Sequence, residues 1–457
     1  MNFGKILNFK SILFGLGIFA VIIAMLGFSG KLPIFNSSST QKLTGTVNVW
    51  GTIPNDAMSR FVDLFDKTAK SYSMNYTEVP YDKINSKLIT AIADGVAPDL
   101  IIAPSDILFS NISRIYPVNT ATISESNFRN QFIDEASLLI MMPYGYLGLP
   151  LSVDPLVLYY NRDILSSNGF AAPPTTWGQF YGYNDKITKK DDNGNLYLST
   201  IAFGTYDNIP HISDILLAMV IQQGQTPVSL GSTRDANGNS VSSYSVLVDE
   251  SASQGGISPL NSALAFSKDF SDTQKTSYNW NAKSGNALQE FISGNLAFYI
   301  GYASEAEYIK SANQKLYFDY TYLPQADSSI VRSTYGRLNT IFMLRTSPGA
   351  SPTSLAYQVM ISLASGTGSI NQSLVALTGG ISALKANIAN DMASGSQGAE
   401  IFGNSALMSK GFYDLHRRDL ETLMREAIRK VYNGEASTVE ASTAFSQNLQ
   451  NVYNGEN

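Results

Sequence analysis

Residues 46–65 read TVNVWGTIPNDAMSRFVDLF, and this stretch decides the fold. Apolar and polar residues alternate over 46–50, which is typical of a strand, and Asn55 and Asp56 then open a helix. The apolar positions of that helix recur at helical spacing and are Met58, Phe61, Val62, Leu64 and Phe65. The stretch is therefore predicted to form one βα unit.

The residues that follow repeat this order of elements. We predict a strand over 75–79, a helix over 81–94 and a continuous apolar strand over 98–103. A β-α-β-α-β alternation is typical of a doubly wound α/β lobe. Ligands of such sheets bind beyond the carboxyl ends of the strands, and Trp50 and Asp106 both fall there.

A second informative stretch is LGLPLSVDPLVLYY at 147–160, where Pro150 and Pro155 interrupt two apolar runs. Since proline cannot donate within a central ladder, one long strand is not expected here, and a strand that leaves one lobe and enters another fits better. Asn-Gly pairs predict hairpins at 192–195 and 235–239. The remaining predicted elements are helices near 212–223, 258–272, 285–293, 351–365, 413–433 and 437–453, and strands at 296–302 and 318–323.

Composition narrows the class of protein. At 457 residues, with 44% hydrophobic and 15% charged residues, the chain can bury more than one core, so two globular units are expected. The net charge of −6 and the lack of a Lys/Arg-rich run argue against a nucleic-acid partner. The chain contains no cysteine and only two histidines, so we expect no metal site, no cofactor and no cysteine nucleophile.

The N-terminus carries a membrane signal. Lys5 and Lys10 precede the uncharged stretch 11–30, whose length matches a membrane-spanning helix. The lysines favour a cytoplasmic stub at 1–10 and an extracytoplasmic remainder, joined through a polar linker at 31–45. A cleaved signal peptide is the alternative, but the stretch is long for one and ends in a poor cleavage site. We therefore expect a single-pass protein of the cell membrane.

Several motifs, taken in order, resemble the extracellular solute-binding proteins of ABC importers, and specifically the sugar-binding family that includes maltose-binding protein. They cover nearly everything from residue 45 onward and are TVNVWGT at 46–52, GVAPDLI at 95–101, YLGLPLSVD at 146–154, LYYNRD at 158–163, PPTTW at 173–177, FISGNLAF at 291–298 and YNGE at 432–435. Phe298 replaces the family's usual Met, and the lipid-modified Cys of many members is missing, which supports a retained helix as the tether.

This resemblance implies an α/β, two-lobed periplasmic-binding-protein-like fold of type II, here preceded by one transmembrane helix. It also implies a receptor without catalytic activity that closes around a ligand and docks on an ABC permease. The expected division is 46–152 with about 338–382 for lobe 1, 153–325 with about 383–457 for lobe 2, and hinge crossings near 150–155, 324–338 and 380–385.

Three candidate ligand-binding residues come from the first lobe and the hinge. Trp50 ends the first strand, where an indole could stack on a sugar or simply pack in the core. By resemblance, Asp106 occupies a position that accepts sugar hydroxyls, and Asp154 matches the acidic position at the hinge. The alternatives are a helix N-cap for Asp106 and a solvated turn for Asp154.

The other five candidates belong to the second lobe. Tyr159 follows the crossing, and His211 begins a helix that lines the cleft in relatives. Trp280 lies in a polar loop, where an exposed indole has little structural reason to be. Gly301 and Tyr302 end the strand 296–302, and glycine there would permit close backbone approach. For Tyr159 a structural role is the alternative.

The function expected is therefore an extracytoplasmic receptor for a solute, and the resemblance favours a sugar or an oligosaccharide. Peptide, polyamine and phosphorylated polyol ligands stay open. A membrane-tethered enzyme acting on glycans would need two carboxylates facing one bond, and the sequence identifies no such pair. A sensor or adhesion ectodomain could use the same fold without transport.

Overall fold

The computed structural model describes residues 44–69, 71–234, 240–249, 258–327, 331–347, 349–365 and 369–455. Within them the strands are β1 (Gly45–Gly51), β2 (Tyr72–Glu78), β3 (Leu100–Pro104), β4 (Met141–Met142), β5 (Gly145–Tyr146), β6 (Leu149–Asn161), β7 (Lys189–Lys190), β8 (Leu196–Ile201), β9 (Val228–Arg234), β10 (Ser240–Val246), β11 (Leu296–Tyr302), β12 (Phe318–Tyr322), β13 (Thr334–Phe342), β14 (Ile381–Ser382) and β15 (Ser409–Lys410).

The helices in the same ranges are α1 (Asn55–Ala69), α2 (Ile84–Ala93), α3 (Ser105–Ser110), α4 (Glu125–Gln131), α5 (Asp134–Ile140), α6 (Arg162–Ser167), α7 (Gln179–Ile187), α8 (Ile212–Gln222), α9 (Pro259–Asp269), α10 (Ala287–Ser293), α11 (Ala306–Ala312), α12 (Leu355–Ser365), α13 (Ser369–Thr378), α14 (Lys385–Ala393), α15 (Ala399–Leu407), α16 (Arg417–Asn433) and α17 (Thr438–Asn454). Short 3₁₀ turns cover Ile112–Arg114 and Ala303–Glu305.

One large sheet organises the chain, with the strand order β2-β1-β3-β13-β6-β11-β8-β7 and with β12, β14 and β15 attached to it. β1 and β3 run parallel, and Val49 pairs with Leu100, as the predicted β-α-β-α-β unit requires. β13 then pairs with β3 in the antiparallel sense, with Thr340 opposite Ala103. The doubly wound α/β prediction for this part of the chain is confirmed.

Two hydrophobic cores lie along this sheet. The first is formed by residues from 47–153, 338–344 and 356–406. The second is formed by residues from 156–335 and 412–449. Each core is large enough to support its own lobe, which is the two-lobed arrangement that the sequence predicted.

Two strands pass from one core to the other. β6 changes core between Val153 and Leu156, and β13 changes core between Tyr335 and Leu338. A third change falls between 406 and 412, later along the chain than the expected crossing at 380–385. The buried residues Ala383, Leu384, Ile388 and Ala406 belong to the first core, whereas Phe402 packs against the second core. The expected assignment of 383–457 to lobe 2 stays a prediction.

The expectation that the two prolines would prevent one long strand was wrong. β6 runs for 13 residues through both Pro150 and Pro155. Pro150 pairs with Thr340 at a register shift in β13, and Pro155 pairs with Gly336 near the point where the neighbours of β6 change from β13 to β11 and β12. The missing N–H groups therefore fall where the ladder is already irregular or changes partner.

The predictions for the N-terminus fall on residues outside the described ranges. The predicted stub at 1–10, the predicted span at 11–30 and the linker up to Leu43 all lie outside the described residues. Among the helices that the structure does describe, none has both the length and the apolar character needed to cross a bilayer.

Candidate functional site

A cavity of about 810 Å³ opens between residues of the two cores, a size usual for small-molecule sites. Tyr81 and Asp106 line it on the side of the first core. His211 and Arg417 line it from α8 and α16, on the side of the second core. Arg337, on the crossing strand β13, completes the floor. A ligand in this cavity would contact both lobes.

On the first side, the polar group is a carboxylate held by a phenol. Asp106 is 8% exposed and accepts a hydrogen bond from the hydroxyl of Tyr81, which is itself 39% exposed. Burial raises the pKa of Asp106, and the Tyr81 hydrogen bond and the charges of Arg337 and Arg417 offset part of that rise. The pair offers an acceptor beside an aromatic ring, which is a suitable surface for a hydroxyl-rich ligand.

On the second side, one arginine binds three carboxylates. Arg417, whose side chain is 12% exposed, lies 2.7 Å from Asp214 and 3.3 Å from Asp414, and it also pairs with Glu421 one turn later on α16. Asp214 is 1% exposed and accepts a hydrogen bond of 2.6 Å from the hydroxyl of Tyr302.

The pKa values of these acids follow from their surroundings. Burial would raise the pKa of Asp214, but the charges of Arg417 and Arg337 lower it below its usual value. Burial raises the pKa of Asp414 to about 7. The charge of Arg417 opposes this rise, and the negative charges of Asp106 and Asp214 add to it. We call Arg417, Asp214, Asp414 and Glu421 the Arg417 network.

Arg337 is cationic and half-buried beside this network. It lines both the large cavity and a small inner cavity of about 10 Å³, roughly the space of one water molecule, which also touches Glu135 and Asp414. Its guanidinium lies 5.5 Å from the centre of the Tyr302 ring. In the part of the chain that the structure describes, no carboxylate pairs directly with Arg337 and no hydrogen bond from its side chain is present.

His211 has an unusual backbone for a non-glycine residue, with φ of 60° at the N-cap of α8. Such left-handed positions persist where the surroundings enforce them, and they cluster at ligand sites. The Nε2 atom of His211 is 3.0 Å from Oε1 of Glu305, and its ring packs edge-on against Tyr302 at 4.7 Å. His211 therefore presents a fixed imidazole to the cavity.

Of the eight residues predicted to bind ligand, the structure brings Asp106 and His211 to the cavity wall. Tyr302 is 3% exposed and lies beneath the wall, where it supports Asp214. Trp50 is partly buried against the first core. Asp154 accepts a hydrogen bond of 3.0 Å from the backbone N–H of Ser304, and burial raises its pKa to about 6.

The other three candidates are packed inside the second lobe. Tyr159 is 0% exposed and donates a hydrogen bond of 2.6 Å to the carbonyl of Tyr302. The expectation of an exposed indole at Trp280 was wrong, since this residue is 1% exposed and its Nε1 donates to Asn208 at 3.3 Å. At Gly301 a Cβ would lie 2.0 Å from a carboxylate oxygen of Glu305, so side-chain packing explains this glycine.

Four residues that line the cavity were not predicted from the sequence, namely Tyr81, Asp214, Arg337 and Arg417. Arg337 lies in TYGRLNTIF, whose glycine and polar residues interrupt the apolar pattern that would predict a strand. Asp214 lies in a helix that is buried along its whole length. A charged residue within an otherwise apolar helix was the available signal for Asp214. Tyr81 and Arg417 carried no local signal, because a helix-flanking Tyr and a charged first turn are common on surfaces.

Metal chemistry finds no support in the geometry. In the ranges that the structure describes, no three His, Cys, Asp or Glu side chains are grouped so that they could hold an ion. Two buried acids of the cavity are instead engaged by other side chains, Asp106 by Tyr81 and Asp214 by Arg417.

Solved structures similar to this one include proteins described as sugar-binding or as ABC substrate-binding proteins. The sugar-binding protein MalE from Xanthomonas citri superposes with a TM-score of 0.70 at 17% identity, covering 90% of this chain and 98% of that one. An ABC substrate-binding protein from Listeria monocytogenes, in complex with cycloalternan, gives 0.65 at 14% identity and covers 91% and 100%. At these identities the likeness shows the fold, and the two-lobed periplasmic-binding-protein-like prediction is confirmed.

Sequence comparisons give the family. Proteins of Brucella abortus and Brucella suis that are named as binding proteins are 24% identical over 123 residues, which is 27% of this chain. The match spans about a third of those relatives, 30% of their length. A family model described as bacterial extracellular solute-binding protein matches residues 61–351, which is more than half of the chain. The chain belongs to the family of bacterial extracellular solute-binding proteins.

Proposed function

We propose that this protein is a carbohydrate receptor that binds its ligand between the two lobes and delivers it to an ABC import permease without chemical change. The observation that carries the proposal is the cavity of about 810 Å³ whose walls come from both cores. Similar structures described as sugar-binding, among them MalE from Xanthomonas citri, support carbohydrate as the ligand class.

The polar chemistry of the cavity suits hydroxyl groups. The carboxylate of Asp106 can accept a hydroxyl hydrogen in addition to the Tyr81 bond, and such charge-assisted bonds are the stronger kind. His211 supplies a ring nitrogen on the opposite side. Tyr81 and Tyr206 add ring faces for the C–H surface of a sugar. In this proposal Tyr302 lies beneath the cavity wall, and its hydroxyl group holds Asp214 in place through a hydrogen bond.

Closure about the crossing strands would bring the two sides together. β6 and β13 change core near Asp154–Pro155 and Gly336–Arg337, and these residues are paired with one another. A rotation there would move α3 relative to α8 and α16 and would enclose the ligand. Hinge closure of this kind requires contacts from both lobes to the same molecule.

Binding of neutral and acidic saccharides is the direct test. Residues 45–457 are titrated with a panel of mono- and oligosaccharides in a thermal-shift assay and then by calorimetry. We expect at least one member to raise the melting temperature, because a ligand that binds only the folded state stabilises it. Asp106→Asn is expected to weaken that binding about 10- to 100-fold, since a hydrogen bond to a charged group contributes about 1.5–3 kcal/mol.

Asp185→Asn is the matched control, because Asp185 is exposed on α7 away from the cavity, and its affinity should equal that of the wild type. A panel without a single stabilising saccharide would contradict the proposal. Release of reducing ends from bound oligosaccharide would instead favour a glycan-acting enzyme.

We further propose that residues 11–30 keep the receptor on the extracytoplasmic face of the cell membrane. The support is the uncharged stretch preceded by Lys5 and Lys10. The full chain is expected in the membrane pellet after alkaline carbonate extraction, and a variant that begins at Gly45 behind a cleavable export signal is expected in the soluble fraction. Full-length protein that is found soluble and shortened at its N-terminus would show a cleaved signal peptide instead.

A further inference from the structure

Arg337 stands apart from the other deep cation of the cavity. Arg417 has three carboxylate partners, whereas no carboxylate of the described residues pairs directly with Arg337. Its only close partner among them is the face of the Tyr302 ring. A partly desolvated cation without a direct counter-ion is costly, and an anionic group of a ligand would supply the missing partner.

The acids around Arg337 are already engaged elsewhere. Asp106 binds the Tyr81 hydroxyl, and Asp154 binds the N–H of Ser304. Asp214 is divided between Arg417 and Tyr302. These acids attract the guanidinium at a distance but leave its fork of N–H donors open toward the cavity that it lines.

The same acids set a limit on the charge of the missing partner. They would repel a doubly charged group more strongly than a singly charged one, because Coulomb energy scales with charge. A carboxylate carries one charge, and its two oxygens match the planar guanidinium fork. A phosphate ester also matches the fork, but its second negative charge would be repelled more strongly by these acids.

Building on the proposed function, we infer that the ligand is an acidic saccharide and that Arg337 receives its carboxylate. The hydroxyl groups of the sugar would then be bound by Asp106 and His211, on opposite sides of the cavity. Arg337 lies on β13 where that strand passes between the cores, so a carboxylate bound there would sit at the hinge. Arg337 is thereby a residue that determines specificity.

The test compares ligands that differ only in the acidic group. Uronic acid-containing oligosaccharides and their counterparts with the carboxyl reduced to CH₂OH are titrated into residues 45–457 by calorimetry. The acid form is expected to bind about 10- to 100-fold more tightly, the range typical of a charged hydrogen-bonded pair. Added salt should reduce the preference for the acid form, because it screens the partly solvated pair of Arg337 and the carboxylate.

Arg337→Gln is expected to abolish the preference, so that this variant binds the acid form and the reduced form with equal affinity. Arg337→Lys keeps the positive charge but lacks the planar guanidinium group, so it should retain part of the preference for the acid form. Arg60→Gln, on the exposed face of α1, is the matched control and should keep all of it. Circular dichroism and melting temperature establish that each variant is folded.

The possible outcomes separate the two proposals. Equal binding of the acid and reduced forms, or a preference that survives in Arg337→Gln, overturns the role of Arg337 and leaves the carbohydrate receptor standing. Equal losses for both ligands in Arg337→Gln show a structural role and also overturn it. A preference for sulfate esters overturns the choice of carboxylate. If no saccharide of either form binds, the proposed function itself fails.

Discussion

Replacement of Arg417 by methionine is expected to lower the free energy of unfolding by about 3–5 kcal/mol, the usual cost of removing one partner from a buried ion pair. Methionine keeps much of the volume but leaves Asp214 and Asp414, which are 1% and 4% exposed, without a counter-ion. Urea denaturation at pH 7 measures the loss.

The loss should depend on pH in a defined direction. In the variant the pKa of Asp214 loses the lowering effect of Arg417 and the pKa of Asp414 rises further, so the folded state holds protons that the unfolded state releases. Stability relative to wild type therefore falls as pH rises from about 4 to 8, and it recovers toward pH 4. The wild type already has part of this behaviour, because the pKa of Asp414 is raised to about 7.

Arg429→Met is the matched control on the same helix. Arg429 pairs with Glu426 and Glu435, but its side chain is 46% exposed. Exposed pairs contribute about 0–1 kcal/mol, so this variant should lose no more than that. An Arg417 variant as stable as the Arg429 variant would contradict the account of the Arg417 network.

Trp280→Ala is expected to cost about 3–5 kcal/mol, as is usual for truncation of a large core residue. Trp280 is 1% exposed, and its indole N–H donates to the amide oxygen of Asn208, so truncation leaves a cavity and removes one of the two hydrogen bonds that this oxygen accepts, the other coming from Thr205. The affinity for saccharide should remain unchanged at a temperature where the variant is folded. Chemical denaturation and calorimetry on the same sample measure the two quantities.

Tyr197→Ala provides the comparison for Trp280, because Tyr197 is a 60% exposed aromatic residue of β8 in the same lobe. Its replacement should change the unfolding free energy by no more than about 0.5 kcal/mol. If Trp280→Ala weakened ligand binding without a loss of stability, the original binding prediction would be correct and the packing role wrong.

Elements with a strong hydrophobic period could be predicted from the sequence. The predicted strand 296–302 coincides with β11, and the predicted helix 413–433 contains α16. Both depend on local patterns, namely a continuous apolar run and a 3.6-residue stripe. The hairpin prediction at 192–195 is likewise confirmed by the antiparallel pairing of β7 and β8.

The cavity itself could be predicted only in part, because its chemistry is assembled from distant segments. Asp106 and His211 follow recognisable element boundaries and were identified. Arg337 and Arg417 acquire their environment from Tyr302 and Asp214, which are far away in sequence. Burial also reversed the expectation for Trp280, since polar neighbours in sequence do not reveal what packs over a loop.

The pairing of β3 with β13 has a consequence for synthesis on the ribosome. Pro104 pairs with Asn339, which is synthesised 235 residues later. At about 5–20 residues per second, roughly 12–47 s pass before that partner is made. Until then the apolar segment Ile101–Ile102 of β3 lacks β13 as its pairing partner, so this edge can pair with other strands. Nascent chains that stop before Phe342 should therefore aggregate, and binding by a holdase chaperone during this interval would protect them.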